Sequence, residues 1–379
     1  MARAKSNIKK FSFRRLGRRF LALVNLGVAV VFLIACLQPW LSPETYWFIG
    51  YLSIAFPYIM LVLMGFLIFW LFARKSYMLI SIIALGVGYK QISYLFSLRH
   101  NDFALQKSAT DIRVMSWNIM GFIGFKPGVR EREQNADRIF AVIREYKPDI
   151  ICLQEYGQFE DKKLGRSYQE LLKKMGFEHE VLSRDYNRVT YSYSSGLAIF
   201  SRYKIVASKR IPFRSSAESL IYVDVLVNKD TVRIFNTHLQ SYRFSEDELD
   251  QVEKIKEQEK PLLRPVTSLL RKMKRAFRNR GAQVNQAYPV IDESPHPQVV
   301  CMDMNDVPNS YAYWHMRGER NDAFLSKGFG IGRTYMSLFP TLRIDYIFPN
   351  KQFEVTQMAV IKRNFSDHLP IVADLRLQK

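Results

Sequence analysis

Three long apolar runs near the N-terminus constrain the fold of this chain most strongly. They cover residues 20–41, 46–73 and 77–98. A membrane-spanning helix needs about 20 apolar residues, and the first two runs meet this length. Lys90 interrupts the third run, so that run either spans the membrane or lies at its surface. The sequence therefore predicts a membrane segment of two to three transmembrane helices with a basic tail in residues 1–100, and a separate domain in residues 101–379.

Basic residues around the apolar runs predict the orientation of the segment. Residues 1–19 contain eight Lys or Arg and no acid, and Arg74 and Lys75 follow the second run. The loop at 42–45 carries no basic residue. Because basic loops stay in the cytoplasm, we expect the N-terminus inside a bacterial cytoplasmic membrane. Three spans then put the large domain outside the cytoplasm, whereas two spans keep it inside.

Two processing signals are alternatives for the first apolar run. A cleaved signal peptide is one, although this run is long and further apolar runs follow it. The other is a lipoprotein site ending in Cys36, which two following membrane helices would make unusual. Cys152 and Cys301 lie in short apolar runs, and no pair of cysteines has zinc or redox spacing. We expect all three cysteines to be buried apolar residues.

Positive charge favours acidic partners for the chain. The formal net charge is +20, but residues 1–100 carry twelve Lys or Arg against one acid, Glu44, so the large domain is only mildly basic. Within the domain, six of the ten residues 271–280 are Lys or Arg. This basic segment is either the solvated face of an amphipathic helix or a strip that faces phosphates or lipid headgroups.

Short apolar runs that end in turns dominate the sequence after residue 111. The runs that read as strands are 112–119, 149–155, 195–202, 219–227, 231–239, 297–305, 342–348 and 371–377. Between the first two, residues 132–146 place apolar side chains at helical spacing. Strands with intervening helices predict a layered α/β or α+β domain.

Polar residues recur at the ends of these predicted strands. The residues at strand ends are Asn118, Glu155, His238, Asp303 and Asn305. Asp345 interrupts the run 342–348, and Asp367 and His368 precede the last strand. Strands of a common sheet bring their ends to one rim, so these side chains can converge there. Carboxylates gathered in one place repel each other unless a cation lies between them. Oxygen ligands with few histidines suit Mg²⁺, or alternatively Mn²⁺ or Ca²⁺, better than zinc.

The ordered motifs of this chain resemble those of the endonuclease/exonuclease/phosphatase superfamily. They are WNI, LQE, GLAIFSR, NTHL, DMND, RIDYIF and SDHLP, and they extend over about residues 111–379. The resemblance implies an α/β fold, a four-layer sandwich of two packed mixed β-sheets flanked by helices. It also implies metal-dependent cleavage of phosphoester bonds. The N-terminal membrane segment lies outside the resemblance.

The resemblance also implies a role for each polar residue. Glu155 is similar to the principal metal carboxylate, with Asn118 and Asp367 near the ion directly or through water. Asp303 is similar to the residue that deprotonates the attacking water, and Asn305 to the amide that holds that water and a phosphate oxygen. Two histidines, His238 and His368, match phosphate-contacting positions, and Asp345 matches the acid that orients the second of them.

These features predict a membrane-anchored phosphodiesterase that depends on a divalent metal ion. Because the domain is basic, nucleic acid is the first substrate that we expect, and the apolar helices make the lipid bilayer a second partner. A lipid or a small phosphorylated molecule is the alternative substrate, since membrane anchoring keeps an enzyme beside headgroups. A non-catalytic, membrane-tethered binding domain is an alternative of another class, against which the complete set of acids and histidines argues.

Overall fold

Helices form the first quarter of the chain, and strands dominate the remainder. The computed structural model describes residues 2–99, 102–123, 128–159, 166–188, 193–214, 216–243, 263–337 and 340–378. Its helices are α1 (Ala2–Ala35), α2 (Ile49–Ala73), α3 (Lys75–Val87), α4 (Tyr89–Ile92), α5 (Val129–Tyr146), α6 (Tyr168–Lys174), α7 (Leu263–Asp292), α8 (Tyr311–Arg317) and α9 (Ala323–Lys327).

The strands largely follow the apolar runs of the sequence. They are β1 (Ser97–Leu98), β2 (Asp111–Asn118), β3 (Ile150–Phe159), β4 (His179–Leu182), β5 (Tyr186–Arg188), β6 (Tyr193–Ser201), β7 (Ile205–Pro212), β8 (Ser219–Val227), β9 (Asp230–His238), β10 (Gln298–Asp303), β11 (Phe329–Gly330), β12 (Asp345–Pro349), β13 (Phe353–Val360) and β14 (Ile371–Leu377). The run at 342–348 differs from the prediction, because strand β12 begins only at Asp345 and leaves out residues 342–344.

The N-terminal helices pack against one another. Phe32 of α1, Phe56 and Leu63 of α2, and Ala84 of α3 share one apolar cluster. Among the described residues, two helical stretches are long and apolar enough to cross a membrane, Phe13–Ala35 and Ile49–Ala73. The third apolar run instead forms α3, of 13 residues, and the short α4. At about 1.5 Å per residue, α3 alone is shorter than the apolar thickness of a bilayer.

Two mixed sheets pack face to face after residue 110. The first has seven strands in the order β13-β14-β2-β3-β6-β4, with β5 paired to β6, and the second has five in the order β12-β10-β9-β8-β7. Two pairs are parallel, β2 with β3 and β9 with β10. Apolar side chains from both sheets, such as Val114 and Ile234, fill the core between them.

Helices cover the outer faces of both sheets and complete four layers. Ile139 and Phe140 of α5 pack with Leu172 of α6 on the seven-stranded sheet. On the five-stranded sheet, α7 and α8 bury side chains such as Val284 and Tyr313. The observed fold is therefore the predicted four-layer α/β sandwich, and its buried free cysteines agree with the expectation for them.

Helix α7 also contacts the N-terminal helices. The hydroxyl of Tyr51 in α2 donates to the carbonyl of Leu270 at 2.5 Å. The rings of Tyr51 and Phe277 meet edge to face, 5.0 Å apart. His315 of α8 hydrogen-bonds the carbonyl of Pro39 at 3.1 Å, in the loop between α1 and α2. This loop and the beginning of α2 therefore lie against the sandwich.

Candidate active site

Strand register brings three of the predicted residues side by side on the five-stranded sheet. Parallel pairing of β9 with β10 puts His238 opposite Asp303. Antiparallel pairing of β10 with β12 puts Asp303 opposite Asp345. Strands β9 and β10 end here and β12 begins here, so His238, Asp303 and Asp345 occupy adjacent positions at one rim of the sheet.

The seven-stranded sheet supplies two more residues at the same rim. Asn118 is the last residue of β2 and is buried. Glu155 lies in an irregularity of β3, where pairing with β6 shifts between Leu153 and Tyr156. The backbone of Glu155 has φ of 50°, in the left-handed region that non-glycine residues seldom adopt. This bulge turns the side chain of Glu155 towards Asn118, whose Nδ2 donates to its Oε1 at 3.1 Å.

A buried amide pair joins the two sheets just beneath the site. Nε2 of Gln154 donates to Oδ1 of Asn236 at 2.7 Å, and Nδ2 of Asn236 donates to the carbonyl of Leu153 at 2.9 Å. Each amide precedes a site residue by one or two positions. The pair therefore fixes Glu155 across from His238, with Nε2 of the histidine 3.8 Å from Oε1 of the glutamate.

Asp303 is the centre of the arrangement and is fully buried. Its Oδ2 accepts from Nδ2 of Asn118 at 2.9 Å. The same oxygen lies 3.5 Å from Nε2 of His238 and 3.6 Å from Nε2 of His368. Its Oδ1 accepts from the backbone N–H of Asn305 at 2.9 Å. This carboxylate can be buried because donors from both sheets surround it.

His368 is held by Asp345 through its second ring nitrogen. Nδ1 lies 3.1 Å and 3.0 Å from the two carboxylate oxygens of Asp345, so Nε2 is directed towards Asp303. Burial alone would lower the pKa of His368, but the carboxylates of Asp345 and Asp303 outweigh it and raise that pKa well above its ordinary value. Burial raises the pKa of Asp345 too, although the facing His368 opposes that rise.

The remaining two predicted residues lie at the edge of this group. Asn305 has φ of 52°, and its Nδ2 donates to the carbonyl of Leu239 at 3.0 Å. Asp367 is linked to Asn118 through Ser366, whose hydroxyl lies 3.1 Å from the Asp367 carboxylate and 2.8 Å from the Asn118 carbonyl. All eight predicted residues thus belong to one rim, although the described contacts of Asp367 do not include Glu155.

The donor atoms suit a hard divalent cation. The side chain of Glu155 is 41% exposed, so one carboxylate faces the opening of the site while Asp303 lies behind it. Nε2 of His238 is buried and has no hydrogen-bond partner among the described residues, as expected where a ligand completes the site. Donor atoms of Asp303, Asp345 and His368 also lie within 4.8 Å of one another. This buried group could therefore also hold a metal ion.

A cleft of about 610 Å³, here called the site cleft, opens beside Glu155 and His238. Its wall includes Tyr186, Glu218 and Arg243, which are joined by hydrogen bonds of 2.9 Å from Tyr186 and from Arg243 to Glu218. Burial alone would raise the pKa of Glu218, but hydrogen bonds such as that from Ser216 lower it overall. The cleft therefore has a fixed negative charge in its wall as well as an arginine.

Several residues that support the site were not predicted from the sequence. Thr334 accepts the backbone N–H of Asp345 at 3.1 Å, and the ring of Tyr335 lies 4.9 Å from that of His368. Both belong to a loop without an apolar run, so the strand pattern gave no signal for them. An isolated antiparallel β-bridge between Tyr335 and His368 holds this loop beside the histidine.

Comparison with solved structures shows the same fold in other proteins. An endonuclease/exonuclease/phosphatase from Beutenbergia cavernae is 24% identical, with a TM-score of 0.51, and the match covers 71% of this chain and 72% of that one. The catalytic domain of human Nocturnin is 21% identical, with a TM-score of 0.50, over 71% of this chain and 94% of that one. A search of curated proteins finds no match.

Family models match both parts of the chain. Residues 18–95 match a domain of unknown function, DUF8431, which covers the apolar helices. Residues 115–368 match the model of the endonuclease/exonuclease/phosphatase family, and this range contains all eight residues of the rim. Because the matched range is more than half of the sequence, the chain belongs to the endonuclease/exonuclease/phosphatase family.

Proposed function

We propose that this chain is a membrane-anchored phosphodiesterase that requires a divalent metal ion. Members of its family are hydrolases that act on phosphoester bonds. The observation that carries the proposal is the environment of Asp303, a buried carboxylate within 3.6 Å of the Nε2 atoms of both His238 and His368. An acid between two histidines at the edge of a cleft provides a base and two proton donors for phosphate chemistry.

For the metal we propose Mg²⁺, which Mn²⁺ or Ca²⁺ could replace. Glu155 would hold it, with Asn118 and Asp367 contributing directly or through water. The exposed carboxylate of Glu155 supports this assignment, because carboxylate oxygens are preferred ligands of hard divalent cations. When bound, the ion would neutralise negative charge that develops on the phosphate.

In this proposal Asp303 accepts the proton of the attacking water. Donors from Asn118 and from the backbone of Asn305 fix the orientation of the carboxylate. Asn305 follows Asp303 by two residues, and in this proposal its side-chain amide orients the water and a phosphate oxygen. Because the acid and the amide are already held in position, less entropy is lost when the water and the phosphate are brought together.

The two histidines donate to the phosphate oxygens in this proposal. His238 reaches the phosphate through its otherwise unpartnered Nε2. Asp345 acts through His368, because its carboxylate holds Nδ1 and leaves Nε2 directed at the reaction. A positively charged imidazole stabilises a phosphate transition state more strongly than a neutral one.

Nucleic acid remains our first candidate for the substrate class. The excess of basic residues in the domain, 43 Lys or Arg against 34 acids in residues 101–379, supports a polyanionic substrate of this kind. A membrane phosphodiester is the second candidate. It is favoured by the contacts of Tyr51 and Pro39 with α7 and α8, because these contacts bring the sandwich close to the ends of the apolar helices.

A substrate panel on the full-length chain in detergent tests the proposal. The panel contains supercoiled plasmid, phosphatidylcholine in mixed micelles and bis(p-nitrophenyl) phosphate. We expect magnesium-dependent hydrolysis that a chelator abolishes and added Mg²⁺ restores. Plasmid nicking would identify nucleic acid as the substrate class, and headgroup release would identify the membrane lipid. Hydrolysis that persists in chelator would refute metal dependence, and no hydrolysis of any substrate would favour the non-catalytic alternative.

We also propose how the two parts of the chain are arranged. Residues 1–100 form the membrane segment and residues 101–379 the catalytic domain, with the basic N-terminus in the bacterial cytoplasm. The contacts with the α1–α2 loop support a domain on the side opposite that tail, because α1 is long enough to separate the tail from the loop by a bilayer. The domain would then lie outside the cytoplasm.

A further inference from the structure

A second cleft, of about 710 Å³, lies between α7, the chain after β7 and the α1–α2 loop. We call it the basic cleft. Its charged lining consists of Arg214, Arg271, Lys274, Arg275, Arg278 and Glu44. Five cations against one carboxylate make the cleft strongly electropositive, so it suits an anion.

The α1–α2 loop is an integral wall of the basic cleft. Nε of Arg278 donates to the carbonyl of Glu44 at 3.1 Å, and Nδ2 of Asn285 donates to its carboxylate at 3.4 Å. At Gly281 a Cβ atom would lie only 3.0 Å from the backbone nitrogen of Glu44, so the absence of a side chain there permits this close approach. The cleft therefore exists only where α7 meets the membrane segment.

Aromatic residues of the same loop indicate the depth of the cleft relative to a bilayer. Trp40, Tyr46 and Trp47 are exposed, and α2 begins two residues after the last of them. Tryptophan and tyrosine concentrate where a membrane meets water. The ammonium of Lys274 lies 4.1 Å from the ring centre of Trp47. The cations of the cleft are thus at the level of lipid headgroups.

The basic cleft is separate from the site cleft. Gln283 and Ser216 line the basic cleft, and Nε2 of the first donates to the hydroxyl of the second at 2.9 Å. Ser216 in turn hydrogen-bonds Glu218, which lines the site cleft. A wall of polar side chains divides the two openings, so an anion in the basic cleft is not positioned for cleavage.

We infer that the basic cleft binds the phosphate headgroup of an anionic phospholipid whose acyl chains remain in the bilayer beside α2. The inference rests on the proposed membrane anchoring but not on the proposed hydrolysis. The occupant is argued from charge complementarity and from the position of the cleft beside the aromatic residues of the loop. Such a lipid fixes the sandwich against the membrane surface and so sets the orientation of the site cleft.

Native mass spectrometry of the full-length chain tests the inference. The protein, in detergent micelles, is offered equal amounts of phosphatidylglycerol and phosphatidylcholine, and the retained lipid is counted. We expect the wild-type chain to retain phosphatidylglycerol preferentially. In R271A/R275A the affinity for this lipid should fall by roughly 25-fold, since each cation near a membrane surface contributes about fivefold.

A matched control removes two exposed cations of α6, in K173A/K174A, and should leave retention unchanged. The melting temperatures of both variants show that each is folded. Equal retention of the two lipids by the wild type, or full retention by R271A/R275A, would overturn the inference. If inorganic phosphate binds as tightly as phosphatidylglycerol and displaces it, the lipid inference is overturned and a soluble anion is the ligand.

Anchoring and hydrolysis are measured separately from lipid retention. Release of the wild-type chain from membranes by alkaline carbonate would refute anchoring, and the headgroup site with it. Retention needs no turnover, so an inactive protein that still selects phosphatidylglycerol would support the basic cleft while contradicting the proposed hydrolysis.

Discussion

At the scale of single residues, Glu155 combines an unusual backbone with an exposed carboxylate. Its φ of 50° places a bulky residue in a sparsely populated region, at a cost of order 1–3 kcal/mol. The strained backbone lies where the pairing of β3 with β6 is interrupted. Contacts with the neighbouring strands must compensate for its cost. Strain of this kind is typical of positions that orient a functional side chain.

The substitution Glu155→Gln tests the role of this carboxylate. It keeps the size and removes the charge, so we expect the Mg²⁺ concentration for half-maximal activity to rise at least about 10-fold, because even changes to partners of metal ligands have that effect. Activity on bis(p-nitrophenyl) phosphate across a magnesium titration measures it. The control Glu170→Gln changes an acid in the first turn of α6 and should behave as wild type. An unaltered titration curve for Glu155→Gln would exclude this glutamate as a metal ligand.

The residues of the site could be predicted to the extent that strand ends could be predicted. Asp303 follows the apolar run 299–302 and His238 lies near the end of the predicted strand 231–239, so their places at the rim followed from the pattern. Asp345 was assigned to the interior of a run, because Leu342 and Ile344 are apolar although they precede the strand. Thr334 and Tyr335 were missed, since their places depend on a bridge to His368 that no local pattern encodes.

At the scale of elements, the contact between α2 and α7 depends on a glycine. A Cβ atom at Gly50 would overlap the ring of Phe277, whereas one at Gly65, in the same helix, would meet nothing within 4 Å. Phe277 is buried and also meets the ring of Tyr242 at 5.8 Å. The ring therefore connects α2 with the chain that follows His238.

The pair Gly50→Val and Gly65→Val tests this contact. Both changes add the same side chain to the same helix, and valine has a higher helix propensity than glycine, so propensity does not predict a loss of stability for either variant. We expect Gly50→Val to lower stability by about 1–3 kcal/mol more than Gly65→Val, because it overpacks a filled interface. Chemical denaturation in detergent, followed by tryptophan fluorescence, measures the difference. Equal stabilities of the two variants would show that α2 and α7 do not pack as described.

The position of α7 was less predictable than its helical character. Leu269 and Phe277 recur at helical spacing, and both are buried in the observed helix. The sequence left open whether segment 271–280 is solvated or faces an anion. Arg280 is buried against Asp306, with an Nε–Oδ2 distance of 3.1 Å, while Arg271 and Arg275 are exposed. Charge count alone could not separate these environments, because they depend on the approach of a distant loop.

At the scale of the whole molecule, the order of the apolar helices bears on the proposed orientation. The α1–α2 loop contacts the sandwich, and so does the chain after α4, where Nη2 of Arg343 donates to the carbonyl of Tyr94 at 2.8 Å. The loop and the chain after α4 therefore both lie at the side of the apolar helices that faces the sandwich. In the proposed orientation this side is outside the cytoplasm, opposite the basic tail.

Reporter fusions in a bacterial host test that orientation. Alkaline phosphatase fused to the C-terminus should be active and green fluorescent protein fused there should be dark, because the first folds outside the cytoplasm and the second inside it. Fusions after Lys75 should give the opposite result and serve as the internal control. A fluorescent C-terminal fusion with inactive phosphatase would place the catalytic domain in the cytoplasm.

The ring of Tyr94 has a consequence for how the protein can be prepared. Tyr94 belongs to the same apolar cluster as Phe213 and Tyr313, although it precedes residue 101 in the chain. Trimming the gene to a hydrophilic fragment would remove this ring from the cluster and uncover Phe277 on α7. Purification would then yield a fragment with an internal cavity and an exposed apolar surface that promotes aggregation. Biochemical work should therefore retain the apolar N-terminal helices.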